Sequence, residues 1–227
     1  MPKVKTAICF SLASLLLLLT LPAWGASDKT KDEETIRNAT TVLQAMVGSK
    51  DVPASTVAKA ECIIILPSVK KFAVGIGGTG GRGPMVCREG AEFTGKWGPP
   101  AMYSIGGASA GFQVGGTAKD FIILVMAPSA ANKVLDGKVK VGSDATAAAG
   151  SGASASTGSA DMLTYSRTSG LFAGVSLDGA SLSPDSDANS RLYDKSVTAR
   201  EIVSGKDVKP TPAGQQLTSL LNSKGKM

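Results

Sequence analysis

The sequence has no histidine. This removes the commonest metal ligand and the commonest general base at neutral pH. Cysteine is nearly as scarce, and the 3 present, Cys9, Cys62 and Cys87, have none of the close pair spacings of a metal site. A strong excess of one charge is also lacking. Lysine and arginine total 24 against 18 acidic residues, a formal net charge of +6, which suits an anionic membrane surface but is too weak to indicate nucleic acid. The longest apolar stretch, Ala7 to Leu21, falls short of the roughly 20 residues that a spanning helix needs.

That stretch belongs to a three-part leader. Lys3 and Lys5 give a positive start, leucines fill positions 15–19, and Pro22 precedes "AWGAS", where Ala23 and Gly25 fit cleavage between Gly25 and Ala26. This is the pattern of a secretory signal peptide over residues 1–25. Cys9 lies inside the apolar run without the small residues that precede a lipoprotein cysteine. The expectation is a soluble exported protein, periplasmic or secreted, that is not lipidated. Cleavage leaves 202 residues, with 22 basic against 18 acidic side chains and a net charge of +4, enough chain for one sizeable core. Two cysteines survive it. In an oxidising compartment Cys62 and Cys87 can pair, closing a loop of about 25 residues worth about 3 kcal/mol. Two free, buried thiols are the equal alternative.

Residues 28–47, "DKTKDEETIRNATTVLQAMV", predict a helix. Its early acids complement the helix dipole, Ile36, Ala39, Leu43, Met46 and Val47 recur at helical spacing, and Gly48 stops it. "DVPASTVAKA" predicts a second, short helix with Pro53 near its first turn. From Glu61 the character changes. "CIIILPSV" is an apolar, β-branched run broken by Pro67, after which "FAVGIGG", "PMVCRE", "AMYSIGG", "AGFQVGG" and "DFIILVMA" alternate with glycine-rich turns. "PSAANKVLDG" reads as a short helix, "KVKVG" as strand, "DANSRLYDKSVTAREIVSG" as short helices and "PAGQQLTSLLNSK" as a final helix fraying into a basic tail. Together these predict a β-rich α+β fold: a single compact domain of mainly antiparallel short strands, sandwich- or barrel-like, with N-terminal helices and short C-terminal helices. By composition alone, "SDATAAAGSGASASTGSA" at 143–160 is a flexible linker.

Three motif matches fail on context. "AVGIGGTGGRGP" satisfies G-x-G-x-x-G twice, at Gly75/Gly77/Gly80 and Gly78/Gly80/Gly83, yet it runs into the strand-like "MVCRE" and opens no helix to receive a pyrophosphate. "GAEFTGKW" has the P-loop spacing at Gly90, Gly95 and Lys96, but Trp97 stands where the magnesium-binding hydroxyl belongs. "GASAG" is a literal nucleophile-elbow match around Ser109, in a chain without a histidine base. A hydrolase using Ser109 without histidine is therefore a remote alternative, and no cofactor or metal site is expected.

In order along the chain, "VPASTVAKAECIIILPSVKKFAVGIGGTGGRGPMVCREG", "KWGPPAMYSIGGASAGFQVGG", "DFIILVM", "VGSDATAAAGSG", "YSRTSGLFAGVSLDGASL" and "ANSRLYDKSVTAREIVSG" resemble the SYLF-domain family of lipid-binding proteins. The resemblance covers roughly residues 36–205, leaving 26–35 as an N-terminal flank and 206–227 as a C-terminal tail or helix. It implies one domain in which the 143–160 tract is integral and not a linker. Eukaryotic members resemble peripheral membrane proteins that bind phosphoinositides, and some bind actin. An exported member meets neither, so anionic phospholipid is the nearest equivalent partner.

The expected function is a non-catalytic, lipid- or membrane-surface-binding domain. The basic residues expected to contact headgroups are Lys59 at the end of the short helix, Lys70 and Lys71 in a turn between strands, Arg82 in the glycine loop, and Arg88 soon after. Each such side chain is worth about 1 kcal/mol near an anionic surface, provided that they share a face. Their ordinary alternative roles are solvation of an exposed turn for the lysines and capping of local carbonyls for Arg82. A structural or protein-interaction role with a protein partner is the rival reading.

Overall fold

The run Cys62–Leu66 is apolar at every position, so a strand made from it must be covered on both faces. The computed structural model, which describes residues 24–74, 76–110, 115–137, 139–141, 146–148, 161–167, 177 and 180–224, has it at the centre of a sheet. Strand β1 (Cys62–Val74) pairs antiparallel with β2 (Ile76–Cys87) on one side and with β4 (Gly115–Val125) on the other. β3 (Ala101–Ala110) flanks β2. β5 (Val139–Val141) and β8 (Ala180–Pro184) extend the sheet beyond β3, and β7 (Met162–Arg167) extends it beyond β4. Seven strands form an antiparallel, curled half-barrel. β6 (Thr146–Ala148) joins the β7 edge in parallel.

Strand alternation gives this sheet two cores. On one face Ile63, Ile65, Val86, Met102, Ile122 and Leu124 pack beneath helices α1 (Trp24–Gly48), α4 (Ser186–Tyr193) and α6 (Pro212–Lys224). The apolar stripe of α1, Ile36, Ala39, Leu43 and Met46, is buried there together with Ala213, Leu217 and Leu221 of α6. The N-terminal flank and the C-terminal helix thus pack into the same body. On the other face Cys62, Ile64, Leu66, Met85, Phe121, Ile123 and Val125 meet α3 (Pro128–Asp136) and α5 (Ala199–Val203). Short helix α2 (Ala54–Lys59) leads into β1. Buried Asn189 pins α4 to the sheet by accepting from the Met102 N–H at 2.6 Å and donating to its carbonyl at 3.1 Å. A capping box between Thr198 and Glu201 starts α5. Cys62 and Cys87 stand opposite each other on β1 and β2, both fully buried, and are joined as a disulfide.

The central strands are longer than the sequence predicts. Lys70 and Lys71 lie inside β1 and not in a turn, and the glycines from 77 to 83 lie inside β2 and not in a loop. Pro67 and Ser68 form a bulge instead of an end: the register on β4 shifts between Leu66 and Val69, then pairing resumes. Pro67 has no N–H to offer a ladder, and the Ser68 N–H is bonded by Asp120 Oδ1 at 2.9 Å. Glycine within β2 answers to close approach. A Cβ at Gly83 would stand 1.9 Å from the Ile65 carbonyl oxygen. Of the Ala/Ser/Gly tract, residues 146–148 are in the sheet, which corrects the linker reading there; 143–145 and 149–160 lie outside the described residues. So does the leader segment 1–23.

Candidate functional site

The sequence-predicted cations occupy three separate environments. Arg82 sits on the α1 face of β2. Its Nη2 lies 2.6 Å from Asp32 Oδ1 on α1 and 2.9 Å from Asp185 Oδ2 at the N-cap of α4. The Asp32 carboxylate is fully buried, and its other oxygen accepts from Arg191 Nε on α4 at 2.8 Å. That hydrogen bond, ahead of any other influence, raises the Arg191 pKa above its usual value. Two arginines and two aspartates therefore tie α1 and α4 to β2. Capping of local carbonyls is not what Arg82 does here.

Arg88 follows β2 and closes the base of the fold. Its Nε, Nη1 and Nη2 donate to the carbonyls of Ala60, Gly95 and Ala58, and its guanidinium lies 4.5 Å from the Trp97 ring centroid. This stacked, forked arrangement suits the planar arginine head and would not suit lysine. Glu61 lies nearby; burial raises its pKa, and the charge of Arg88 partly offsets that. Lys59, exposed at the end of α2, belongs to this same end of the molecule.

Lys70 and Lys71 stand at the opposite end, roughly 25 Å along β1 from Cys62 at the usual strand rise. As neighbours in a strand they point to opposite faces of the sheet. The sequence reading missed Lys119, which β4 places in the same zone: Val69 pairs with Lys119, Lys70 with Ala118 and Lys71 with Thr117. Lys70 is exposed, and Lys71 and Lys119 are half-buried. The neighbouring strand offers Thr79 and Gly80 opposite Lys71 and Lys70. The five predicted cations do not form one patch. At this end the sheet places Lys71 and Lys119 on one face and Lys70 on the other. A lysine at even spacing from Phe121 in an otherwise small-residue strand was the available signal for Lys119.

The failed motifs are accounted for by position. The glycine fingerprint is antiparallel strand β2. Lys96 of the P-loop-like segment faces Glu89 at 3.8 Å. Ser109 lies within β3 opposite Gly77, not on the sharp strand-to-helix turn that an elbow requires. Among the described residues no cluster of three or more metal-ligating side chains is present, and no helix is long and apolar enough to cross a membrane.

The described residues form a helix-flanked half-barrel in which the glycine-rich run 76–83 is embedded in strand β2. The sequence model of the family described as Ysc84, Las17-binding protein actin regulator, matches residues 106–224. The chain belongs to this Ysc84/SYLF family. It is 34% identical over 190 residues to an SH3 domain-containing protein of Schizosaccharomyces pombe, covering 80% of this chain and 43% of that protein. It is 30% identical over 210 residues to human SH3 domain-containing YSC84-like protein 1, covering 89% of this chain and 60% of the relative. With Protein YSC84 of Saccharomyces cerevisiae it shares 29% over 207 residues, 87% and 43% of the respective chains. The chain thus spans only about half of the length of these relatives.

Proposed function

We propose that this is a non-catalytic module that binds an anionic phospholipid surface with the lysine-bearing end of its sheet. The observation that carries this reading is the placement of three lysines at one end of β1 and β4, with Lys71 and Lys119 on one face of the sheet and Lys70 exposed on the other. The two that share a face, Lys71 and Lys119, contribute at most about 2 kcal/mol at an anionic surface, about thirtyfold in partitioning. Adsorption of this strength is reversible and salt-sensitive. We also propose export through residues 1–25; the leader pattern and the Cys62–Cys87 bridge support it, since disulfides persist in oxidising compartments.

Co-sedimentation with vesicles tests the binding. Vesicles rich in phosphatidylglycerol should retain the protein at low salt, and pure phosphatidylcholine vesicles should not. Lys70→Glu combined with Lys119→Glu should abolish retention while Arg82→Ala leaves it unchanged. Equal behaviour with both vesicle types would sink the reading. A protein partner is the second reading, favoured by the family description, which names Las17 binding and actin regulation for family members. If it holds in place of lipid, the double lysine variant shows no vesicle defect because there is no vesicle binding to lose.

A further inference from the structure

At the Arg88 end of the molecule, away from the lysine-bearing end, a cleft of about 320 Å³ opens between the 88–97 loop, α3 and α5. Its lining joins Phe93, Leu135 and Val203 to Arg88, Arg200 and Lys206, and includes no acidic side chain. The three cations differ. Arg200 is engaged by Asp136 at 2.5 Å and by Asn132. Among the described residues Arg88 has no carboxylate within ion-pair distance, although the nearby Glu61 carboxylate feels its charge: three Arg88 N–H groups go to main-chain carbonyls, and the guanidinium plane rests on Trp97. It is a cation held rigid by neutral acceptors, with donors to spare on a five-donor head. Lys206 is exposed on the turn after α5. Phe93 lies in the left-handed region at φ 52° while only 5% exposed. A bulky side chain held there stores strain of the kind that clusters at binding sites.

We infer that this cleft binds a small soluble organic anion, one phosphate or carboxylate group on an apolar body. The head meets Arg88 and Lys206, and the body lies on Phe93, Leu135 and Val203. The volume is at the lower end for small-molecule sites, which fits a single ring or a short chain and not a two-chain lipid. The site is independent of the membrane reading, because it lies at the other end of β1.

Calorimetric titration of the purified chain with phenyl phosphate tests this, with inorganic phosphate as the head-only control. Phenyl phosphate should bind at one site with a Kd below about 1 mM, and inorganic phosphate about tenfold more weakly because it lacks the apolar body. Arg88 braces its loop, so the test rests on exposed positions. Lys206→Glu should weaken phenyl phosphate about fivefold, and Ala91→Trp should block the cleft, both with unchanged melting. Lys70→Glu with Lys119→Glu should leave this binding intact, which separates it from failure of the membrane reading. Absence of saturable binding, equal affinity for inorganic phosphate, or indifference to Lys206→Glu and Ala91→Trp would each overturn the inference. So would anionic-vesicle binding that falls with those two substitutions, since the head would then belong to a bilayer lipid.

Discussion

Replacing Asp32 by alanine removes the one carboxylate that Arg82 and Arg191 share. The Asp32 side chain is 0% exposed, with arginine nitrogens at 2.6 and 2.8 Å on its two oxygens. Truncating one partner of a fully buried ion pair costs about 3–5 kcal/mol, because the remaining charge is left desolvated and unpaired. Two features reduce that here. The arginine side chains are 36% and 31% exposed, so water reaches them, and Arg82 keeps Asp185 at 2.9 Å. The expected loss for Asp32→Ala is therefore about 2–3 kcal/mol. For a chain of this size that lowers Tm by roughly 4–12 °C. Asp32→Asn keeps the shape but not the charge and should cost about half as much. Glu34→Ala, an exposed acid on the same helix with no ion pair, should stay within about 0.5 kcal/mol of wild type. Urea denaturation followed by far-UV circular dichroism measures all three. If Asp32→Ala falls as close to wild type as Glu34→Ala, the four-residue network does not hold α1 and α4 to the sheet.

Three further outcomes follow from other parts of the fold. Gly83→Ala should destabilise by about 1–3 kcal/mol or prevent folding, because its Cβ would meet the Ile65 carbonyl oxygen at 1.9 Å, whereas Gly80→Ala, with nothing within 4 Å, should be close to neutral in thermal melting. Reducing the Cys62–Cys87 bridge, which spans a sequence separation of 25, should cost about 3 kcal/mol, read as a Tm difference between oxidised and reduced samples; no difference would mean the bridge constrains little. Burial raises the pKa of Tyr103 and of Tyr193 above their ordinary 10.0, so the stability that they contribute is fully present below that pH and declines as pH rises past it; denaturant midpoints from pH 8 to 11 should fall above about 10, and less so in Tyr103→Phe.

The helices were legible because their signals are local. The apolar stripe from Ile36 to Met46 and the stop at Gly48 mark α1, and "PAGQQLTSLLNSK" coincides with α6. The extent of the strands was not. Glycines in "AVGIGGTGGRGP" look like turn residues to any local reading, but what fixes Gly83 is the carbonyl of Ile65 on the neighbouring strand. Pro67 looked like a strand end for the same reason. Asp120 on β4 accepts from the Ser68 N–H where the chain bulges and then continues. The lysine-bearing end was half visible: Lys70 and Lys71 are adjacent in sequence, but Lys119 joins them only through the β1–β4 register.

The role of Arg82 was less hidden than it first looks. Asp32 lies four residues before Ile36, in line with the stripe Ile36, Ala39, Leu43 and Met46, so one acid of the acid-rich helix start had to face inward while its neighbours served the dipole. Arg82 has the same strand parity as Val86, which faces the same helix. An inward acid on α1 and an inward base on the sheet beneath it each carry a desolvation penalty that neither can escape alone. If the helix covers that face of the sheet, pairing is the low-energy arrangement. Arg191 offers no such clue, since it stands half-exposed beside Leu192 and is recruited by the second oxygen of Asp32. Applied to the remaining cations, the same parity test separates Arg82 from Lys70: both project to the α1 face, but Lys70 lies beyond the Pro67–Ser68 bulge and stays exposed, while Arg82 lies over Asp32. A charge under the helix becomes structure, and a charge past its end stays available to a partner.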